Sequence, residues 1–375
     1  MSNDVQNRLH CRVVTFPPGA EMPSWNAVGK IQTVLGLIEP DDLGVTLTHE
    51  HLLIDLTAIL TPPIESTARQ QYFAPMTPES LGKVRHYGEV NYANYQVLNI
   101  ETAIDEAGLY KQYGGKSLVD ATSIGIARDP LGLARISSAT GVNVIMGASF
   151  YVNPAHPDYV ATSTEDELAA QIIRDVSEGV DGTGIRSGVI GEVGCSWPLT
   201  ESERKVLRAS AQAQRATGAP ILIHPGRDET SPLQIIEILG DAGADLSRTI
   251  MGHLDRTVFE RETLSKIGQR GCYFEWDLFG NESSSYKANP AIDHPNDATK
   301  LQHISWLISE GYGDKITIAH DICTNHRLVR YGGHGYFYIL KHIVPLMRDR
   351  GFSEEAINKI LVDNPASALT FVPPA

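Results

Sequence analysis

Along the chain, short runs of apolar and β-branched residues alternate with longer segments whose apolar positions recur at helical spacing. The runs read as strands over residues 45–50, 117–121, 143–148, 188–192, 220–224, 249–253, 272–276 and 315–320. Past the first, they recur roughly every 30 residues, the length that a strand, a crossover helix and two loops consume. Eight such units predict an α/β fold, a single (β/α)8 TIM barrel spanning residues 31–375. A doubly wound open sheet is the rival arrangement with the same spacing.

Helix ends are legible in places. Thr200-Glu201-Ser202-Glu203 is a capping box, and its helix is expected to run to Thr217 and close at Gly218. Ser353 is a good N-cap for a helix over 354–362, which Asn364-Pro365 is expected to break. Two connections exceed an ordinary loop: 57–95 after the first strand, rich in Pro and Tyr, and 277–299 after the seventh. Insertions that follow barrel strands lie on the catalytic face. Residues 1–30, with Pro17, Pro18 and Pro23 and no periodicity, read as an N-terminal extension.

Composition (42% apolar, 20% charged) is that of a folded chain, and charge narrows its partners. A net charge of −14 without any Lys/Arg run argues against nucleic acid and membrane surfaces, which need clustered cations. No apolar stretch approaches membrane-spanning length, and residues 1–16 lack the apolar centre of a secretory signal. Cys11, Cys195, Cys272 and Cys323 are too widely spaced for a CxxC pair or a disulfide framework, so a cytoplasmic location is expected. A homodimer is left open.

The chemistry collects at strand ends. His49 and His51 lie two apart on the first strand, hence on one face, with Glu50 opposite. The fourth strand ends in Glu192, the fifth in His224, the sixth in His253, and the eighth in His320-Asp321. Barrel stability does not call for imidazoles at that rim, whereas a metal site does. Four histidines and two carboxylates exceed the needs of one four-coordinate ion and suit two, with Glu192 as the bridge. On this reading His49, His51 and Asp321 hold one ion and His224 and His253 the other, while His320 faces the helices and is structural.

Several longer motifs resemble the phosphotriesterase family of the amidohydrolase superfamily: Thr48-His49-Glu50-His51, Gly191-Glu192-Val193-Gly194-Cys195-Ser196-Trp197, His224-Pro225-Gly226-Arg227, His253-Leu254-Asp255-Arg256 and Tyr331-Gly332-Gly333-His334-Gly335. The resemblance spans residues 30–372. It implies a barrel with two divalent cations per subunit, zinc in most members, on His49, His51, Glu192, His224, His253 and Asp321. Many members bridge the metals with a carboxylated lysine where this chain has Glu192, so substrate preference is not carried over from them. The glutamate-bearing branch implies amide hydrolysis of small anionic N-acyl amino-sulfonates, N-acetyltaurine above all. A lactonase or phosphotriesterase with the same centre is the alternative.

The expected mechanism is attack by a metal-bridging hydroxide, with Asp321 accepting its proton and passing it to the leaving amine. Asp255 follows His253 by two and is either a proton relay or orienting group, or a loop-start cap. A sulfonate calls for a guanidinium; Arg227, Arg256, Lys287 and Arg327 are placed for it, and Arg256 is favoured. Cys195 and Trp197 line the pocket or pack beneath it.

Overall fold

The computed structural model describes residues 25–283, 286 and 289–375. Lys287 and residues 1–24 of the expected extension lie outside the described residues. Residues 25–30 are folded onto the C-terminus: Trp25 meets Phe371 edge-on at 5.7 Å, Ala27 is buried, and Val28 bridges to Phe371.

Eight strands lie within a few residues of the expected positions: β1 (Thr46–Glu50), β2 (Ser117–Asp120), β3 (Asn143–Ala148), β4 (Val189–Gly194), β5 (Ile221–His224), β6 (Thr249–Met251), β7 (Tyr273–Trp276) and β8 (Ile316–Ile318). Each pairs in parallel with its sequence neighbours, so spatial order repeats chain order from β1 to β8. That order excludes the doubly wound sheet, in which the direction of strand addition reverses partway. The remaining seam, β8 against β1, is closed at its C-terminal end by Asp321 N donating to His49 O at 3.0 Å. The protein is a (β/α)8 barrel.

Inside the barrel, Val119, Ile145, Val189, Leu222, Ile250 and Tyr273 form an apolar cluster. Ile31, from a hairpin of Ile31–Thr33 and Gly36–Ile38, joins it together with Leu43 and Leu369. Full burial of each aliphatic side chain contributes about 1.5–3 kcal/mol, so the barrel has a packed interior and presents its chemistry only at one rim. A second, larger apolar cluster lies between strands and helices, of which α1 (Glu201–Thr217) is typical. Its capping box is formed in both directions, and Gly218 ends it in the left-handed conformation.

One expected break is absent. The helix that starts after Ser353 continues past Pro365, through a π turn over Lys359–Asp363 into Asn364–Leu369. The wide turn puts the proline at the start of a new α segment, where a missing N–H costs little.

The insertion at 57–95 carries two short helices, Ser66–Tyr72 and Pro78–Tyr87. With residues of the insertion after β7 it walls a cavity at the C-terminal rim. Among the described residues, no helix is long and apolar enough to cross a membrane.

Candidate metal centre

The cavity, about 710 Å³, is lined by His51, Glu192, His224, His253 and Asp321 on its floor. Glu192 stands at the middle. Its Oε2 lies 2.7 Å from His224 Nδ1, 3.4 Å from His253 Nε2 and 3.3 Å from His49 Nε2. Its Oε1 lies 3.4 Å from His51 Nε2, which is itself 3.3 Å from Asp321 Oδ1. The structure therefore brings together all six residues singled out as ligands. Their donor atoms fall into compact groups, among them His49 with His51 and Asp321, and Glu192 with His224 and His253.

Local backbone features aim these side chains. In β4 the ladder to β5 passes from Ile190–Ile221 to Val193–Ile223, one residue more on β4, a bulge at Gly191-Glu192. Gly191 has φ +146°, and a Cβ there would lie 2.2 Å from Leu222 O, so no other residue fits before the central carboxylate of Glu192. β1 has a matching irregularity between Leu47 and Glu50. His253 (φ 53°) and Asp321 (φ 51°) both adopt the left-handed conformation, which costs a non-glycine residue about 1–3 kcal/mol.

Carboxylates on neighbouring strands hold both strained residues. Asp277, just past β7, accepts the His253 backbone N–H through Oδ2 and faces His253 Nδ1 through Oδ1, each at 2.7 Å. Glu50 accepts the N–H groups of His320 (2.8 Å) and Ile322 (3.1 Å), on either side of Asp321. It also faces His320 Nδ1 at 2.7 Å, while His320 Nε2 accepts from Ile339 N. That second bond assigns the ring proton to Nδ1, so all three donors converge on Glu50. His320 is fully buried and points away from the cage.

The other ring nitrogens are also spoken for. His49 Nδ1 faces Glu275 and Asp277, each at 3.1 Å, and His51 Nδ1 faces Thr122 Oγ1 at 2.9 Å. His49, His51 and His253 thus each turn Nε2 toward the centre, as metal-binding histidines do when their other nitrogen is tied. Glu275, Asp277 and Thr122 escaped the sequence reading. The first two were findable: Glu275 and Asp277 are spaced two apart at the end of an apolar run, like His49 and His51.

The donor set fits divalent cations. His49 Nε2 is buried without a hydrogen bond, and His253 Nε2 confronts His224 Nδ1 at 2.8 Å. Burial works against charge on His51, yet hydrogen bonds and charge from Asp321 and Glu192 push its pKa up to about 9. Burial, opposed by Glu192 but assisted by His253 and Arg256, takes His224 down to about 3. Glu192 and Asp321 are both held below the ordinary carboxylate range, against burial, by the surrounding histidines. Ionised carboxylates buried among imidazoles demand positive charge, which hard or borderline divalent ions supply.

The sequence profile of the Phosphotriesterase family matches residues 29–369. A mouse (Mus musculus) protein named N-acetyltaurine hydrolase is 46% identical over 347 residues, covering 92% of this chain and 98% of its own. The chain belongs to the phosphotriesterase family. Members of this family are hydrolases, and so is this chain. Among solved structures, a resiniferatoxin-binding protein from Rhodobacter sphaeroides superposes with TM-score 0.87 at 35% identity, covering 91% of this chain and 95% of that one. A lactonase from Listeria monocytogenes gives TM-score 0.75 at 25% identity, covering 92% and 100%.

The remaining candidates distribute unevenly. Arg256 is 3% exposed; its guanidinium reaches Pro225 O, Thr257 Oγ1 and, at 3.2 Å, His224 Nε2. Asp255 does not line the cavity: it is 1% exposed and accepts from Leu278 N at 2.7 Å, with its pKa raised to about 7 by burial and by Asp277. Arg327 is bound to the carbonyls of His320 and Asp321. Cys195 is fully buried and outside the cavity lining, whereas Cys323 is part of it.

Proposed function

We propose that this hydrolase is a binuclear metal-dependent amidase that cleaves small N-acyl taurines, N-acetyltaurine above all, to the amine and the carboxylate. The reading is supported by a two-sided carboxylate cage lying in one cavity with three arginines, Arg227, Arg256 and Arg327, that have no carboxylate ion-pair partner among the described residues. Cations without a carboxylate partner, Arg256 and Arg327 buried and Arg227 half-buried, favour an anionic substrate, as an amino-sulfonate provides. The name and 46% identity of the mouse relative point the same way.

His49, His51 and Asp321 would hold one cation and His224 and His253 the other, with Glu192 shared between them. Two divalent cations held by these residues would supply an acidified water and polarise the scissile carbonyl. Asp321 is the cage carboxylate positioned to take a proton from the attacking water, because its side chain is 15% exposed to the cavity while Glu192 is enclosed by imidazoles. It returns that proton to the departing nitrogen, which cannot leave as an amide anion. Asp277 and Glu275 keep His49 and His253 in one tautomer throughout.

A lactonase reading has one observation in its favour, the fold shared with the Listeria lactonase. A hydrolysis panel separates the two. Metal-loaded protein is expected to release acetate from N-acetyltaurine faster than it opens γ- and δ-lactones or cleaves a paraoxon-type triester. The opposite ranking of kcat/KM refutes the amidase.

A further inference from the structure

Of the three arginines at the cavity, two are already engaged. Arg327 ties down the carbonyls of His320 and Asp321, and Arg256 donates to Pro225 O and Thr257 Oγ1. Arg227 differs. Its Nε donates to the Tyr286 hydroxyl, its guanidinium lies 5.9 Å from the centroid of that ring, and its terminal nitrogens have no protein partner among the described residues. Among the described residues no carboxylate forms an ion pair with it, in a chain with 45 acidic residues. The insertion after β7 holds this arrangement from two points, since Asn289 Nδ2 also donates to Arg227 O at 3.1 Å.

A second, independent observation lies beside it. His294, from the same insertion, stacks at a tilt on Tyr286 with ring centroids 4.2 Å apart. Both of its ring nitrogens are buried and have no hydrogen-bond partner among the described residues, and the residue lines the same cavity. Burial and the nearby cations Arg256, Lys300, Arg327 and Arg227 push its pKa down to about 3, so it is a neutral imidazole with one N–H to donate. Buried donors left without partners are costly unless a ligand completes them.

We infer that Arg227, seated on Tyr286 and flanked by His294, is the receptor for the anionic end of the substrate, whereas Arg256 is already engaged with Pro225 O and Thr257 Oγ1. The guanidinium fork matches two oxygens of a sulfonate or carboxylate, and the His294 N–H supplies a further donor. Tyr286 acts through Arg227 as a positioning residue. The insertion after β7 thereby selects for charge, while the cage performs the chemistry. The assignment rests on the proposed amidase reading for the identity of the substrate, though not for the existence of the anion site.

Two measurements keep those claims apart. The first needs no turnover: ethanesulfonate, a bare anionic end, is titrated into metal-loaded protein and followed by ligand NMR. R227Q is expected to weaken its binding about 10- to 100-fold, the range set by hydrogen bonds to a charged group. Y286F is expected to weaken it less, with the fold checked by circular dichroism. The second compares kcat/KM for N-acetyltaurine with that for neutral N-ethylacetamide. R227Q is expected to collapse the ratio, chiefly by raising KM for the anionic substrate, and R227K to recover part of it. Equal ethanesulfonate binding by wild type and both variants overturns the anion site even if N-acetyltaurine is a good substrate. Failure to hydrolyse N-acetyltaurine, with Arg227-dependent ethanesulfonate binding intact, overturns the amidase reading alone.

Discussion

Asp277 binds His253 twice, taking its backbone N–H on one oxygen and facing its ring Nδ1 with the other, both at 2.7 Å. The same carboxylate thus holds a left-handed backbone in place and sets the tautomer of the imidazole that the backbone carries. Glu50 does the corresponding work around Asp321.

Replacing Asp277 by Asn keeps the shape but places an amide NH2 against a donor. We expect metal affinity to fall about 10- to 100-fold, the usual effect of losing a partner that orients a metal-binding histidine. Titration with a competing chelator reads the change. Unaltered affinity would show that His253 needs no such support.

Substituting Glu50 by Gln should destabilise the fold by a few kcal/mol, because a buried N–H or imidazole proton loses its acceptor at about 1–3 kcal/mol each. The mutation lies on the far side of β1 from the cage. Metal affinity and thermal midpoint are therefore expected to drop together as the β1–β8 seam loosens. A midpoint equal to wild type rules out Glu50 as the clasp.

Asp321→Asn retains an oxygen ligand and removes the proton acceptor. A loss of about 10²–10⁴ in kcat is expected with the folded structure retained, the range for general acid–base groups. Wild-type kcat would assign the proton transfer elsewhere.

Removal of the Glu192 carboxylate by substitution to Ala separates the two halves of the cage. Bound metal per chain and thermal stability should fall together, since a ligand bound only to the native state adds RT ln(1 + [L]/Kd). Elemental analysis after gel filtration checks it: two retained equivalents per chain would exclude the bridge.

His326 gives a pH test away from the metal ligands. Burial, with Arg327 and Arg85, pushes its pKa down to about 3, and its Nδ1 lies 3.1 Å from Asn94 Nδ2. The folded state binds fewer protons than the unfolded one between pH 3 and about 6.5, so this residue's contribution is complete above 6.5 and is lost as pH falls below it. Relative to His326→Gln, wild type should lose stability from pH 7 to pH 5, by at most about 1.4 kcal/mol per pH unit. Parallel denaturation curves at pH 7, 6 and 5 test the sign.

The eight strands and the convergence of histidines and carboxylates at the rim were readable from the chain because both follow from local rules. Apolar runs at crossover spacing can be counted, and a histidine or carboxylate ending such a run stands out against it. Spacing alone left the doubly wound sheet in play; a strand order that never reverses excluded it. Glu275 and Asp277 were equally local signals, hidden because neither is an imidazole and the seventh strand seemed to end in Trp276. Pro365 reads as a stop in the sequence but is not one, because a π turn, which has no sequence mark, makes room for it.

What no local pattern could supply is which of several cations is unpaired. Arg227 and Arg256 each sit three residues beyond a rim histidine, and sequence alone favours the second. Their difference arises from partners brought in over long chain distances: Tyr286 and Asn289 for one, the Pro225 carbonyl for the other. The order of residues determines the ring of strands and which ends carry ligands. Whether a charge is satisfied or left waiting for a ligand depends on every group within a few ångströms of it, and only the closed barrel with its insertions assembles those groups.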